Sequence, residues 1–232
     1  MAKALVMALL LLAAFDAEAS GRAVTIPSLD GTSLSGEYFE ASARPAPAVV
    51  LVHMLTRSRS DWGSLPDRLQ EAGITALTID LRGHGGSSGS QQVLADMVQD
   101  VRAAAQWLAA RPGVRPGSVG LVGASLGASL SLLATVELPA VRALALLSPS
   151  LDYRGLRTDL GLIKRIGGRS MWFAASGEDP LALRTLRDFA AETSGPREQL
   201  ISNAAAHGTA LLERDPEVGR ALVDWLRRSL LS

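Results

Sequence analysis

Residues Val119 to Leu133 leave the chain little choice of local structure. Val119 to Val122 is a short apolar run that predicts a buried strand. Leu126, Leu130 and Leu133 recur at helical spacing directly after it. The only chain between strand and helix is Gly123-Ala-Ser125-Leu-Gly127. Strand, sharp turn and helix around Gly-x-Ser-x-Gly is the context of a nucleophile elbow. Such a turn strains its serine and brings chain close before and behind it, where Gly123 and Gly127 present no Cβ. The Ser125 hydroxyl is then expected at the carboxyl edge of a parallel sheet. Beside it, the amino end of the helix supplies a free backbone N–H for a developing oxyanion.

The rest of the chain supplies that sheet. Ala23–Pro27 and Ser33–Phe39 alternate in polarity about Asp30-Gly31 and predict an N-terminal hairpin. Ala48–Val52 is an unbroken β-branched run suited to a strand covered on both faces. Asp61 is expected to cap a helix from Trp62 to about Glu71, ended by Gly73. Ile74–Ile79 is the next strand, and Gln91–Ala110 the next helix. Val141–Leu147, Met171–Ala175 and Glu198–Ile201 read as further strands, with a helix over Leu181–Ala191. Asp215-Pro216 opens a C-terminal helix that runs through Leu230. Alternating strands and helices predict the α/β class: one domain over residues 20–232, with a mostly parallel sheet covered on both faces. Sites in such sheets form beyond the carboxyl ends of the strands. His53, Asp80, Ser125, Ser148, Asp179 and His207 all fall there.

Composition narrows the function. Of 232 residues, 23 are Lys or Arg and 23 are Asp or Glu, so no net field favours nucleic acid or an anionic membrane. The absence of cysteine excludes disulfides, thiol catalysis and cysteine-bound metal. Residues 1–19 differ from the rest: Lys3, an apolar core from Ala4 to Phe15, then Ala17-Glu-Ala19. That is the pattern of a cleaved signal peptide. The alternative, a retained anchor, asks a run of twelve residues to span a bilayer that takes roughly 20. The mature protein is therefore expected to be periplasmic or extracellular, with no stable membrane span.

A serine nucleophile needs a base, and the base needs a carboxylate to fix its tautomer. The three histidines are His53, His84 and His207, and only His207 follows Ser125. In the chain order serine, carboxylate, histidine it is the sole base available. Asp179 in Gly-Glu178-Asp179-Pro is the expected acid, with Asp152 as its rival and Glu178 as a third option.

These motifs together resemble the α/β-hydrolase superfamily, in its dienelactone hydrolase-like or serine aminopeptidase-like esterase group. The match runs from Val49 to His207: Leu-Val-His53, Asp80-Leu-Arg-Gly-His84-Gly-x-Ser, the elbow at Ser125, Gly-Glu-Asp179-Pro and His207-Gly. The resemblance implies Ser125 as nucleophile, His207 as general base and later acid, and Asp179 as its orienter. It implies one oxyanion donor at the Leu126 N–H and a second after His53. Where the family commonly reads His-Gly-x, this chain has His53-Met54-Leu55. The second donor is assigned to Leu55, with Met54 as alternative, and the bulk of Met54 is expected to narrow the acyl pocket. His53, His84 and Asp80 are implied as loop braces; the two histidines form no zinc signature. Arg57, Arg59 and Trp62 are expected in a loop near the mouth. No cofactor is implied.

Asp152 to Gly168 has room for a small helix at most, so little or no lid is expected. The expected activity is cleavage of carboxylic esters with short or exposed acyl groups, a small-molecule substrate. Thioesters, amides and perhydrolysis are alternatives open to the same machinery. A non-catalytic binding protein on this fold is the alternative of another class, opposed by the presence of all three triad candidates.

Overall fold

The run after Pro45 forms the middle of the sheet. In β3 (Ala46–Val52) every residue is buried, because the two faces of the strand enter two different cores. Ala48, Val50 and Val52 pack into one apolar layer, and Val49 and Leu51 into the other. That is why the run shows no polar alternation. The computed structural model describes residues 21–231; the expected signal over residues 1–19 lies outside the described residues.

β1 (Arg22–Pro27) and β2 (Ser33–Phe39) form the antiparallel hairpin expected around Gly31, whose φ of 85° suits glycine. β2 pairs antiparallel with β4 (Thr75–Ile79). β5 (Val114–Ala124), β6 (Val141–Leu147), β9 (Ser170–Ser176) and β10 (Arg197–Ser202) extend the sheet on the other side of β3, all parallel. The order is β1-β2-β4-β3-β5-β6-β9-β10. The chain therefore steps outward from β3 to β4, then returns across β3 to β5. The loops leaving β3 and β5 diverge at that reversal, where α/β sheets open a crevice for ligands.

Helices cover both faces. α2 (Met97–Ala109), α3 (Leu126–Val136), α4 (Leu160–Ile166) and α5 (Pro180–Glu192) pack on one. α1 (Leu65–Glu71), α6 (Ala210–Arg214) and α7 (Pro216–Leu231) pack on the other, around Trp62, Trp172 and Trp225. Between β6 and α4 lies only a small hairpin, β7 (Asp152–Tyr153) with β8 (Leu156–Arg157). Among the described residues no helix is long and apolar enough to cross a membrane.

Two expectations are corrected. Asp61 does not cap a helix: it lies in a 3-10 turn, Arg59–Trp62, that Gly63 ends with a φ of 52°. α1 starts afterwards, with Pro66 in its first turn, where a missing N–H costs nothing. The helix expected from Gln91 starts at Met97, after a short 3-10 turn over Leu94–Asp96. Gln91 and Gln92 are exposed and Val93 is extended, so no apolar face holds them helical until Met97 and Val101 reach the core.

Candidate active site

Ser125 stands between the last residue of β5 and the first of α3, with φ 52° and ψ −114°. A non-glycine residue there carries strain of about 1–3 kcal/mol, which the surrounding structure must offset. The neighbouring glycines show how tightly the turn is held. A methyl group on Gly123 would meet the Gly127 carbonyl, and one on Gly127 the Val52 carbonyl, both far inside contact distance. The Ser125 N–H is tied to the Leu147 carbonyl of β6 at 2.9 Å. The start of α3 is thus pressed against the end of β3, and the loop leaving β3 lies beside the elbow.

The three residues singled out for nucleophile, base and acid come together. The Ser125 hydroxyl donates to His207 Nε2 at 2.8 Å. Nδ1–H of His207 donates to Asp179 Oδ2 at 2.5 Å. Ser125 is buried, the Asp179 side chain is mostly buried, and the His207 side chain is 52% exposed, so the base faces solvent. The other Asp179 oxygen accepts the Ala182 N–H at 3.1 Å and caps α5. One carboxylate therefore fixes a helix end and an imidazole together.

The rivals lie elsewhere. Asp152 is exposed in the β7–β8 hairpin, where Oδ1 accepts the Gly155 N–H and Oδ2 faces Arg157. Glu178 precedes the capping aspartate and borders the hollow beside His207. That hollow, about 570 Å³, is also bounded by Met54, Arg57, Leu181 and Arg214. A second of about 570 Å³ lies by the loop after β3, lined by Leu55, Thr56, Val93, Leu94 and Leu156.

Nothing in the sequence around His207 marks what holds its loop; three hydrogen bonds do so. The Gly208 N–H donates to Ser148 Oγ at 2.8 Å, and Ser148 itself sits at φ 49°. Arg214 donates to the Ala205 carbonyl at 2.6 Å, and Ser202 Oγ to Asp215 Oδ2 at 2.6 Å. Ser148 is one of the polar residues expected at strand ends, whereas Ser202, Arg214 and Asp215 belong to no motif, so only the fold reveals their part. Met54 also differs from expectation: its sulfur packs on Gly208, against the loop of the base, which adds a second role to the bulk expected in the acyl pocket. Gly208, at φ 59°, has no Cβ to obstruct it. Trp62 is core, and Arg59 turns back to pair with Asp80, which leaves Arg57 at the mouth. Leu160 and Leu162 pack against the core and Ile163 within it.

Behind Leu55 stands a polar scaffold. Asp80 is fully buried and accepts the Arg59 N–H at 2.7 Å, the Arg59 guanidinium and the Gly86 N–H at 2.9 Å. His53 is fully buried; it meets the Met54 carbonyl through Nδ1 at 2.6 Å and the Leu81 N–H through Nε2 at 3.0 Å. Burial is the first reason its imidazole is held down to about 4, with the neighbouring His84 a smaller one. Both nitrogens of His84 are engaged as well, by Arg82 O and Thr56 N. Neither ring keeps a lone pair for a metal. The arrangement sets a hydroxyl in hydrogen-bond contact with an imidazole that a carboxylate holds from its other side.

Comparison with known proteins fits this geometry. The family described as "Serine aminopeptidase, S33" matches residues 43–217. An uncharacterized protein of Mycobacterium tuberculosis is 31% identical over 91% of this chain and 79% of its own length. A Pyrococcus furiosus esterase superposes with a TM-score of 0.74 at 18% identity, covering 90% of each chain. A dienelactone hydrolase from Anabaena variabilis gives 0.74 at 19% identity, over 90% of this chain and 98% of that one. At such identities the superpositions establish the fold, a mostly parallel α/β-hydrolase sheet.

Proposed function

The chain belongs to the serine aminopeptidase S33 family of α/β-hydrolases, and from that premise we propose that it cleaves carboxylic esters through an acyl-enzyme on Ser125. The single observation that carries this reading is the unbroken chain of hydrogen bonds from Ser125 through His207 to Asp179. In the first step Ser125 Oγ attacks the ester carbonyl carbon as its proton passes to His207 Nε2. Asp179 holds the ring with Nδ1–H toward itself and stabilises the imidazolium that forms. The carbonyl oxygen becomes an oxyanion facing the Leu126 and Leu55 N–H groups. Collapse of the tetrahedral intermediate breaks the ester C–O bond, and Nε2–H protonates the departing alcohol. Water then enters, gives its proton to Nε2, and attacks the acyl-enzyme; the second collapse returns the proton to Ser125 and frees the acid.

The exposed His207 and the short β7–β8 hairpin support a preference for short or exposed acyl groups. Hydrolysis of p-nitrophenyl acetate, butyrate and palmitate, with acyl thioesters and aminoacyl anilides as competitors, tests the reading. Intact mass after acid quench is expected to show one acyl group, mapped to Ser125, with acetate or butyrate turned over fastest. Turnover of the anilides alone would make the chain an aminopeptidase instead. Export after cleavage at Ala19 belongs to the same proposal, and N-terminal sequencing of secreted protein tests it.

A further inference from the structure

Val93 is an apolar side chain that packing does not account for. It lies just before α2, extended and 53% exposed, in a stretch that stays outside the helix. Beside it Leu94 is half-buried against the core. Both line the hollow of about 570 Å³ by the loop after β3, together with Leu55 from that loop and Leu156 from β8. A single exposed valine is ordinary and needs no explanation. Four apolar side chains from three separate stretches, converging on one hollow, are the lining of a small-molecule site.

The triad decides which part of a substrate can reach it. In the tetrahedral intermediate the central carbon carries Ser125 Oγ, the oxyanion, the alcohol oxygen and the acyl chain. His207 Nε2–H must reach the alcohol oxygen to protonate it, so the alcohol departs on the side of His207. That side is the hollow bounded by His207, Met54, Glu178 and Leu181. The acyl chain takes the remaining direction, away from the base. Met54 borders the His207 hollow and Leu55, the next residue, borders the other. No residue lines both, so the loop after β3 divides them.

We infer that Val93 and Leu94, with Leu55 and Leu156, form the acyl site and set its preference for an apolar chain of a few carbons. The inference rests on the serine-hydrolase reading. It puts the bulk of Met54 on the side of the departing alcohol instead of beside the acyl chain. Exposed Gln91 and Gln92 complete the lining with polar amides, which bounds the apolar contact a longer chain can gain. The stretch before α2, with no apolar face to make it helical, is thus the wall of a binding site.

The test varies one arm of the ester at a time and reads ratios of kcat/KM. p-Nitrophenyl acetate, butyrate and hexanoate vary the acyl chain. Acetates of p-nitrophenol and of the larger 4-methylumbelliferone vary the leaving group. The parent is expected to favour butyrate over acetate by about tenfold, as two methylenes leave water. Val93→Ser removes apolar wall at an exposed position and should cut that preference to about threefold. Val93→Trp, which fills the hollow, should reverse it. Leu181→Ser, at a rim position of the His207 hollow that is 77% exposed, should move the leaving-group ratio and keep the acyl ratio. A parent acylated on Ser125 but indifferent to chain length would overturn the inference and leave the hydrolase reading standing. An acyl ratio unchanged in folded V93S would overturn it too, as would a leaving-group ratio that moves there in its place. V93S decides the matter if V93W does not fold. Failure of the parent to form any acyl-enzyme would remove the hydrolase reading, and the inference with it.

Discussion

At the scale of single residues, Asp179 combines two duties that substitution can separate. Asp179→Asn keeps an oxygen able to cap α5 but no charge for the imidazole. It is expected to lower kcat by about 10³–10⁴-fold with little change in stability. Asp179→Ala should add a stability loss of about 1 kcal/mol from the missing cap. Asp152→Asn should leave kcat unchanged, which steady-state kinetics on the three variants will show. His53 gives a stability prediction. Between about pH 6.5, where a free imidazole titrates, and pH 4, the unfolded chain holds a proton there that the folded chain does not. Stability from this group is complete above that window and falls as the pH drops through it, by about 3 kcal/mol in all. Urea unfolding at a series of pH values measures it, and His53→Gln should flatten that part of the profile. Order along the chain was enough to single out Ser125 and His207, because one histidine follows the elbow. Asp179 is favoured over Asp152 in the sequence, but both follow strands, and only the fold shows that Asp179 is the one that meets His207.

Elements are held at the elbow by backbone contact rather than by side chains. Gly127→Ala would push a methyl group into the Val52 carbonyl, and an overpacking cost of about 1–3 kcal/mol or more is expected. Thermal unfolding checks this, and a G127A protein as stable as the parent would mean that α3 sits further from β3 than described. The alternation of buried strands was legible because β3, β5, β6 and β9 are apolar on both faces. Helix starts were not. Leu94 fits the period of α2 but only half-buries against the core, in the 3-10 turn before it; full burial begins at Met97, and Asp100 is buried with Arg82 paired to it at 2.6 Å. Periodicity reports what an apolar face permits; burial decides where the helix begins. α6 was missed because five residues are too few for a period to show.

For the whole molecule, the sheet reversal at β3 and β5 explains why a serine, an imidazole and a loop distant in sequence meet at one edge. The same architecture separates stability from chemistry. Trp225 packs against Trp172 on the face below the sheet, at 6.5 Å between rings. Trp225→Ala is expected to cost about 3–5 kcal/mol by denaturant unfolding while the folded fraction keeps the parent kcat. The central claim, an activated Ser125, is tested most directly by labelling the folded wild-type protein with a fluorophosphonate probe beside Ser125→Ala and His207→Ala. The account predicts one label per chain on Ser125, with none in either variant. A folded wild-type protein that takes no label, or one labelled as well after His207→Ala, would contradict it.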